Sequence, residues 1–382
     1  MPAALPFSGD LVNVPLLDLV AQHGAIADEI LPAAMAVIER QGFIMGPEVG
    51  QLEAAIAALS HVGHAVACAS GTDALLLPLR ALELKPGDEV ICPSFTFFAT
   101  AGAVHNAGGR PVFVDIDPAS YNVAPEAVEA AITPRTRAII AVHLYGQMAD
   151  MGRLKEMADR HGVVLIEDAA QAIGARRRVG REWRMAGELG WVGTLSFFPS
   201  KNLGGWGDGG MILTQDAGVA QRLARLRLHG GAKQYHHDEV GFNSRLDTIQ
   251  AAILLVKLRH LAGWSAARRE RAARYGELLR AVPAVRTPAV DADAEHIFHQ
   301  YTIRAERRDA LVTHLRQAGM GCAVYYPVGL HLQPCFADLG YRAGSLPETE
   351  RAMAEVVSLP IFPELNDGQQ DAVVGAIREF YQ

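Results

Sequence analysis

The chain has 382 residues, half of them hydrophobic and a fifth charged, with a formal net charge of −7. That is an ordinary globular composition, long enough for two domains with a sizeable core. It excludes the basic footprint of a nucleic-acid-binding protein, and no apolar run approaches the ~20 residues that cross a bilayer.

Met1 to Arg40 carries no basic leader, and Asp10 and Asp18 interrupt its apolar stretches, so no signal peptide is read there. Cys68, Cys92, Cys322 and Cys335 lie far apart and form no CxxC. Reduced, mostly buried thiols in the cytoplasm are expected, with no disulfide framework and no metal site. Helical periodicity over Leu19–Glu39 ends at Gly42 to Pro47, and a helix over Val49–Leu59 follows. Strand-like runs then occur at His64–Ala69, Glu89–Cys92, Pro111–Asp115, Ala138–His143, Val163–Glu167, Gly193–Phe198 and Gly210–Thr214. Between them the spacing predicts helices over Asp73–Glu83, Thr96–Asn106, Pro125–Ala131 and Met151–His161. Apolar strands alternating with helices mean βαβ units and a mostly parallel sheet of the α/β class, covered on both faces. Such sheets bind ligands at the carboxyl ends of their strands. From Ser244 an amphipathic segment runs to His260 and a second from Ser265 to Arg280. After Pro283 and Pro288 the pattern becomes strand (His299–Arg304), helix (Arg307–Gln317), strand (Ala323–Tyr326), a Pro/Gly-rich loop, and helices near Glu348–Val357 and Asp367–Phe380. This reads as a smaller α+β domain.

The chemistry is sought where strands end. The sequence has five lysines, Lys85, Lys155, Lys201, Lys233 and Lys257, and among them Lys201 alone leaves a strand-like apolar segment into a glycine-rich turn. Desolvation there favours the neutral amine, which can form an imine with an aldehyde cofactor. A surface lysine beside a turn is the plainer alternative. The first strand ends in Ser70-Gly71-Thr72-Asp73, where free amides and a hydroxyl make a phosphate seat; the same residues also serve as a helix N-cap. The fifth strand runs into Asp168-Ala169-Ala170-Gln171. Asp168 could pair with a pyridinium nitrogen and Gln171 could reach a phenolic oxygen, or the aspartate could simply cap a helix. At the second strand's end an aromatic of Phe95 to Phe98 could stack on a flat cofactor or fill the core. Ser196 could add a phosphate contact.

Together these segments resemble the fold-type-I pyridoxal-phosphate enzymes, in particular the DegT/StrS group of nucleotide-sugar aminotransferases. The resemblance is carried by Ser-Gly-Thr-Asp-Ala-Leu (70–75), Val-Asp-Ile-Asp (114–117), His-Leu-Tyr-Gly (143–146), Glu-Asp-Ala-Ala-Gln (167–171), Ser-Phe-Phe-Pro-Ser-Lys (196–201), Gly-Asp-Gly-Gly (207–210), Gly-Phe-Asn-Ser-Arg-Leu-Asp (241–247) and Tyr-Pro-Val-Gly-Leu-His (326–331), in order along nearly the whole chain. It implies a large cofactor-binding domain over residues 1–245 and linking helices with a small α+β domain over 246–382. It implies pyridoxal 5'-phosphate as cofactor, with Lys201 as the Schiff-base lysine and Asp168 as the pyridine-nitrogen partner. Phe97 would stack on the ring, Gln171 would lie near its phenolic oxygen, and Gly71, Thr72 and Ser196 would hold the phosphate. Asn243 would reach the cofactor phosphate of a neighbouring subunit, so a homodimer with shared sites is implied. Arg245, Tyr326 and His331 would face the sugar. Arg245 reads equally as one half of a structural ion pair with Asp247 or another acid. Some relatives carry histidine in place of the lysine; this chain keeps Lys201. Gly329 replaces a proline of the family loop. The stretch Tyr235 to Asp247 looks more like the branch acting on 3-keto sugars than the 4-keto branch. The implied reaction moves an amino group from an amino acid, L-glutamate by family habit, to a nucleotide-linked keto-sugar. A regulatory member that lost catalysis, or another fold-type-I reaction, is the rival reading.

Overall fold

The computed structural model describes residues 13–233 and 235–382. Asp10, invoked above against a leader peptide, lies outside the described residues. The chain opens with α1 (Leu19–Arg40) and α2 (Pro47–Leu59), then β1 (His64–Cys68), α3 (Gly71–Ala81), β2 (Glu89–Pro93), α4 (Ala99–Asn106), β3 (Arg110–Val114), α5 (Pro125–Ala131), β4 (Thr136–Val142), α6 (Met151–His161) and β5 (Val164–Asp168). A hairpin, β6 (Arg176–Val179) and β7 (Glu182–Met185), precedes β8 (Val192–Ser196), β9 (Gly210–Thr214) and α7 (Ala217–Leu226). Then come α8 (Thr248–Leu279), β10 (Val285–Arg286), β11 (Ala294–Glu295), β12 (Tyr301–Ala305), α9 (Arg308–Gln317), α10 (Pro347–Glu355), β13 (Val356–Leu359) and α11 (Asp367–Tyr381).

The main sheet has seven strands in the order β1-β9-β8-β5-β4-β2-β3. Only β9 runs against its neighbours, pairing antiparallel with both β1 and β8. These are the seven strands expected from the apolar runs, each within two residues of its expected start. Both faces are buried, which is why the strands read as continuous apolar runs rather than alternating ones. Ile91, Ile139, Ala141 and Leu165 face a core shared with α2, α6 and α8. Val90, Cys92, Ala138 and Ile140 face the opposite core, with α3, α4 and α7. Each fully buried Val or Ile contributes roughly 1.5–3 kcal/mol relative to exposure. The small domain packs β10-β12-β13 with α9 and α11 around a third core that includes Ile303, Leu311, Val357 and Val373.

Several expectations change. The two amphipathic segments expected after Ser244 are one 32-residue helix, α8, which links the sheet domain to the small domain. The start of the described chain belongs to the small-domain core: Val14 is fully buried there and bridges to Met320 in parallel. The expected strand Ala323–Tyr326 is a loop with a single bridge from Ala323 to Ser358, and the end of the expected helix Glu348–Val357 is strand β13. The helix expected over Thr96–Asn106 starts at Ala99, leaving residues 94–98 as an irregular lip above β2. The hairpin β6–β7, which joins β11 in a separate three-stranded sheet, was not anticipated. Its strands are arginine-rich, and ion pairs such as Arg176 with Glu295 and Arg178 with Asp293 replace the apolar signal. Among the described residues no helix is long and apolar enough to cross a membrane.

Candidate active site

A cavity of about 730 Å³ opens at the carboxyl ends of the sheet strands. Ser70, Gly71 and Thr72 after β1, Phe97 after β2, Asp168 at the end of β5, Gln171 just beyond it, and Ser196 and Lys201 at and after β8 all line it. The small domain closes one side with Val324, Tyr325 and Tyr326. The topology explains the convergence. β1, β2, β5 and β8 all deliver their carboxyl ends to one edge, so residues far apart in sequence meet there.

The phosphate end is built from α3. Ser70 caps this helix, its hydroxyl accepting from the Asp73 amide at 3.1 Å. The amides of Gly71 and Thr72, in the first turn, are not used by the helix and carry the positive end of its dipole. Gly71 is required by a close approach. A Cβ there would lie 2.6 Å from Cβ of Ser196 and 2.8 Å from its Oγ. Cap and phosphate seat are therefore compatible, because the cap uses Ser70 and leaves Gly71 and Thr72 free.

Asp168 is buried. Its Oδ1 accepts from the Ala170 amide at 3.2 Å and its Oδ2 from the Thr100 hydroxyl at 3.0 Å. Burial pushes its carboxyl upward, against the Ala170 and Thr100 hydrogen bonds and the charges of Lys201 and His143. A merely capping aspartate has no reason to face a cavity opposite a lysine. Its neighbour Glu167 points to the other side of the sheet, where it accepts from the amides of Gly187, Leu189 and Gly190 and pairs with His143 at 2.8 Å. Alternation along β5 thus makes one carboxylate structural and turns the other to the cavity.

Lys201 follows a tight turn in which its amide donates to the Phe198 carbonyl at 2.8 Å. Burial lowers its ammonium to about 8, with Asp168 pulling the other way. Its Nζ has no hydrogen-bond partner among the described residues. The Phe97 ring stands 58% exposed on the cavity rim, an uncovered apolar face where a flat ring can stack. Gln171 accepts from the Tyr145 amide at 2.7 Å and donates to the Tyr326 hydroxyl at 3.0 Å. Tyr326 is thereby fixed on the cavity wall, its ring edge-on to Phe95.

Three expected site residues are not brought to this cavity. His331 is fully buried; its Nδ1 pairs with Ser94 Oγ at 2.7 Å and its Nε2 with Glu350 at 3.2 Å. Both ring nitrogens are thus engaged in holding the 329–333 loop. Asn243 is exposed, and Arg245 is half-buried with no ion pair among the described residues, to Asp247 or to any other acid. Neither lines its own chain's cavity. Residues missed from sequence include Thr100, His299 and Tyr325. Thr100 follows Thr96 by four residues, a spacing visible in the sequence, but its partner Asp168 is 68 residues away. No group of three or more His, Cys, Asp or Glu side chains is placed to hold a metal among the described residues.

Pyridoxal phosphate fits this set. The glycine-cleared seat at Gly71 and Ser196 suits a phosphate, Asp168 presents a carboxylate to a ring nitrogen, and Lys201 offers an unpartnered amine to an aldehyde.

Comparison with known proteins agrees. The model of the DegT/DnrJ/EryC1/StrS aminotransferase family matches residues 25–378. A Geobacillus stearothermophilus "pleiotropic regulatory protein" is 51% identical over 97% of this chain and 99% of its own. A UDP-N-acetyl-3-dehydro-alpha-D-glucosamine 3-aminotransferase of Acidithiobacillus ferrooxidans is 47% identical over 96% of this chain and 97% of its own. The crystal structure of DesV from S. venezuelae, solved in complex with a ketimine intermediate, superposes with a TM-score of 0.93 at 44% identity, covering 97% of this chain and 99% of that one. With the fold, the cavity and the lysine–aspartate pair in place, this chain belongs to the DegT/DnrJ/EryC1/StrS family and is a pyridoxal-phosphate-dependent sugar aminotransferase.

Proposed function

We propose that this enzyme transfers the amino group of L-glutamate to a nucleotide-linked 3-keto-hexose, carried on UDP or dTDP, in the cytoplasm, for modified-sugar or surface-polysaccharide synthesis. The observation that carries the reaction class is the placing of Lys201 and Asp168 in one cavity with a glycine-cleared phosphate seat. Similarity to a 3-dehydro-glucosamine aminotransferase at 47% identity supports the 3-keto position.

When bound, pyridoxal phosphate supplies an aldehyde for the amino group and a ring that takes up an electron pair. The chain supplies the rest. The Gly71 and Thr72 amides and the Thr72 and Ser196 hydroxyls hold the phosphate, and Phe97 covers one ring face. The Asp168 carboxylate holds a proton on the ring nitrogen. The freed Lys201 amine would take the proton from the donor α-carbon and pass it to the former aldehyde carbon, on the far side of the transferred nitrogen, acting as base and then acid. Lys201, held at about 8, is partly neutral near neutral pH and so is available as that base. Reversal of these roles aminates the keto-sugar.

The active unit is a homodimer in which Asn243 reaches the phosphate and Arg245 the sugar end of the partner's cavity. Their position outside their own cavity supports this reading. Arg245 would bind a sugar carboxylate bidentately where one is present. A panel of UDP- and dTDP-linked 3-keto and 4-keto sugars, incubated with glutamate and read by mass spectrometry, tests the substrate. Product from the 4-keto sugars alone would overturn the assignment. The 51% identical relative with a regulatory name favours a second reading, loss of catalysis, and absence of product across the panel would support it. Shared sites are tested by mixing a Lys201→Ala chain with an Asn243→Ala, Arg245→Ala chain. A mixed dimer should regain one good site. Activity no higher than the parental average in verified mixed dimers would place both residues in cis.

A further inference from the structure

Asp168 does not stand alone at the cavity floor. Thr100, fully buried in the first turn of α4, directs its hydroxyl not to its own helix but 68 residues away, to Oδ2 of Asp168 at 3.0 Å. An ionised carboxylate only accepts, so Thr100 is the donor in this bond. The Thr100 oxygen lies 3.1 Å from the Thr96 hydroxyl, also buried. Thr100 has a single hydroxyl hydrogen, which is spent on Asp168, so Thr96 donates to Thr100. The result is a directed chain, Thr96 to Thr100 to Asp168, whose hydrogen-bond dipoles all point their positive ends at the carboxylate. The segment that carries Thr96 and Thr100 also carries Phe97, so one short stretch both covers the ring and aims the carboxylate.

We propose that Thr100, backed by Thr96, is a positioning residue that fixes the orientation of Asp168 and holds it ionised. The proposal rests on the reading of Asp168 as the partner of the ring nitrogen. The physical need is specific. Asp168 is buried, and burial favours its neutral form, which cannot keep a ring nitrogen protonated by charge. The groups that face it from the surrounding elements are Lys201 after β8, His143 at the end of β4, and Tyr326 from the small-domain loop. Nε2 of His143 is committed to Glu167 at 2.8 Å, and the Lys201 amine, which would serve the cofactor aldehyde and the donor proton in turn, makes no fixed hydrogen bond to Asp168 among the described residues. Of the side chains around Asp168, Thr100 is thus the one with a permanent hydrogen bond to the carboxylate.

The test is a series of Thr100→Val, Thr100→Ser and Thr96→Val in the full-length holoenzyme, with Asp168→Asn beside it. Thr100→Val keeps the volume and removes the donor. The carboxyl then titrates higher, and because the charged form is required, the acidic limb of the kcat profile moves up by about one pH unit. The kcat at neutral pH is expected to fall about tenfold, with KM for both substrates within about twofold. As a readout apart from turnover, apo Thr100→Val should bind pyridoxal phosphate more weakly than wild type at pH 6 and equally at pH 8.5, followed by fluorescence. Thr100→Ser should restore both, and Thr96→Val should lie between. An unmoved acidic limb in Thr100→Val, or a Thr100→Ser variant as slow as Thr100→Val, would overturn the proposal and leave Thr100 as packing alone. If Thr100→Val does not fold, Thr100→Ala and Thr96→Val carry the same comparison. Wild-type turnover in Asp168→Asn would instead remove the reading of Asp168 itself, an outcome distinct from a defective Asp168→Asn beside an unshifted Thr100→Val.

Discussion

Two lysines of this chain sit in dry surroundings, and burial lowers each to about 8. Lys257, on the inner face of α8, is the more enclosed, only 4% exposed. Yet its Nζ donates to the Gly204 carbonyl at 2.8 Å and to Gln22 Oε1 at 3.2 Å, tying the loop after Lys201 and helix α1 to α8. Among the described residues Lys201 has no such acceptors; it faces open volume opposite Asp168. Desolvation alone therefore does not make a lysine reactive. Fixed acceptors turn buried ammonium into a brace, while an empty approach and one counter-charge leave it free to act.

The largest effect should break the symmetry between them. Lys201→Ala removes both the covalent anchor and the base, and turnover should fall by about 10⁴-fold or more. Borohydride treatment of the holoenzyme should leave a pyridoxyl group on the peptide containing Lys201. A label on the Lys257 peptide would invert the comparison.

Asp168→Asn sharpens it next. The amide keeps the shape and can still accept from Thr100, but the charge opposite Lys201 is gone. The donor half-reaction should slow by about 10²-fold while cofactor remains bound, as stopped-flow absorbance can follow. A wild-type rate would return Asp168 to the role of a cap.

Lys257→Met should spare the chemistry and touch the fold. It strands the Gly204 carbonyl and Gln22 without a donor, a loss of about 1–3 kcal/mol of stability, with turnover within about twofold of wild type. Urea denaturation and steady-state assay measure the two together. A large drop in kcat with unchanged stability would show that Lys257 acts on the site.

The smallest effect is in pH. The folded chain binds fewer protons at Lys257 than the unfolded chain between about 8 and the ordinary 10.5. Its ammonium thus carries a penalty below about 8 that disappears as pH rises through this window, so stability gains with pH there. Lys257→Met should lose that gain, seen as the difference between the variants in urea midpoints at pH 8 and 10. The same depression at Lys201 has a kinetic expression instead. Capture of pyridoxal phosphate by the apo chain should quicken as pH rises through about 8 and then level off. A capture rate that is flat from pH 7 to 9 would mean that Lys201 is not desolvated.

The sequence by itself determined the seven strands of the main sheet, the helices between them and most of the cavity wall. Buried parallel strands must be apolar along their whole length, and the turn residues that end them mark where ligands bind. Gly71, Thr72, Phe97, Asp168, Gln171, Ser196 and Lys201 were legible for that reason, each lying at or just past a strand's end. Tertiary structure decided what local pattern cannot carry. The two segments expected after Ser244 are joined through residues 261–264 into one long helix, which packs against both the sheet domain and the small domain. The histidine of the Tyr-Pro loop carries no local sign of Ser94, 237 residues away, which pairs with its Nδ1. Nothing in its own segment marks Lys257 as a brace, because its partners come from α1 and the Gly204 loop, not from its own helix. Thr100 gained its role only when β5 brought Asp168 to it. In each case the deciding partner is distant along the chain, and a hydrogen bond acts over about 3 Å of space whatever the separation in sequence.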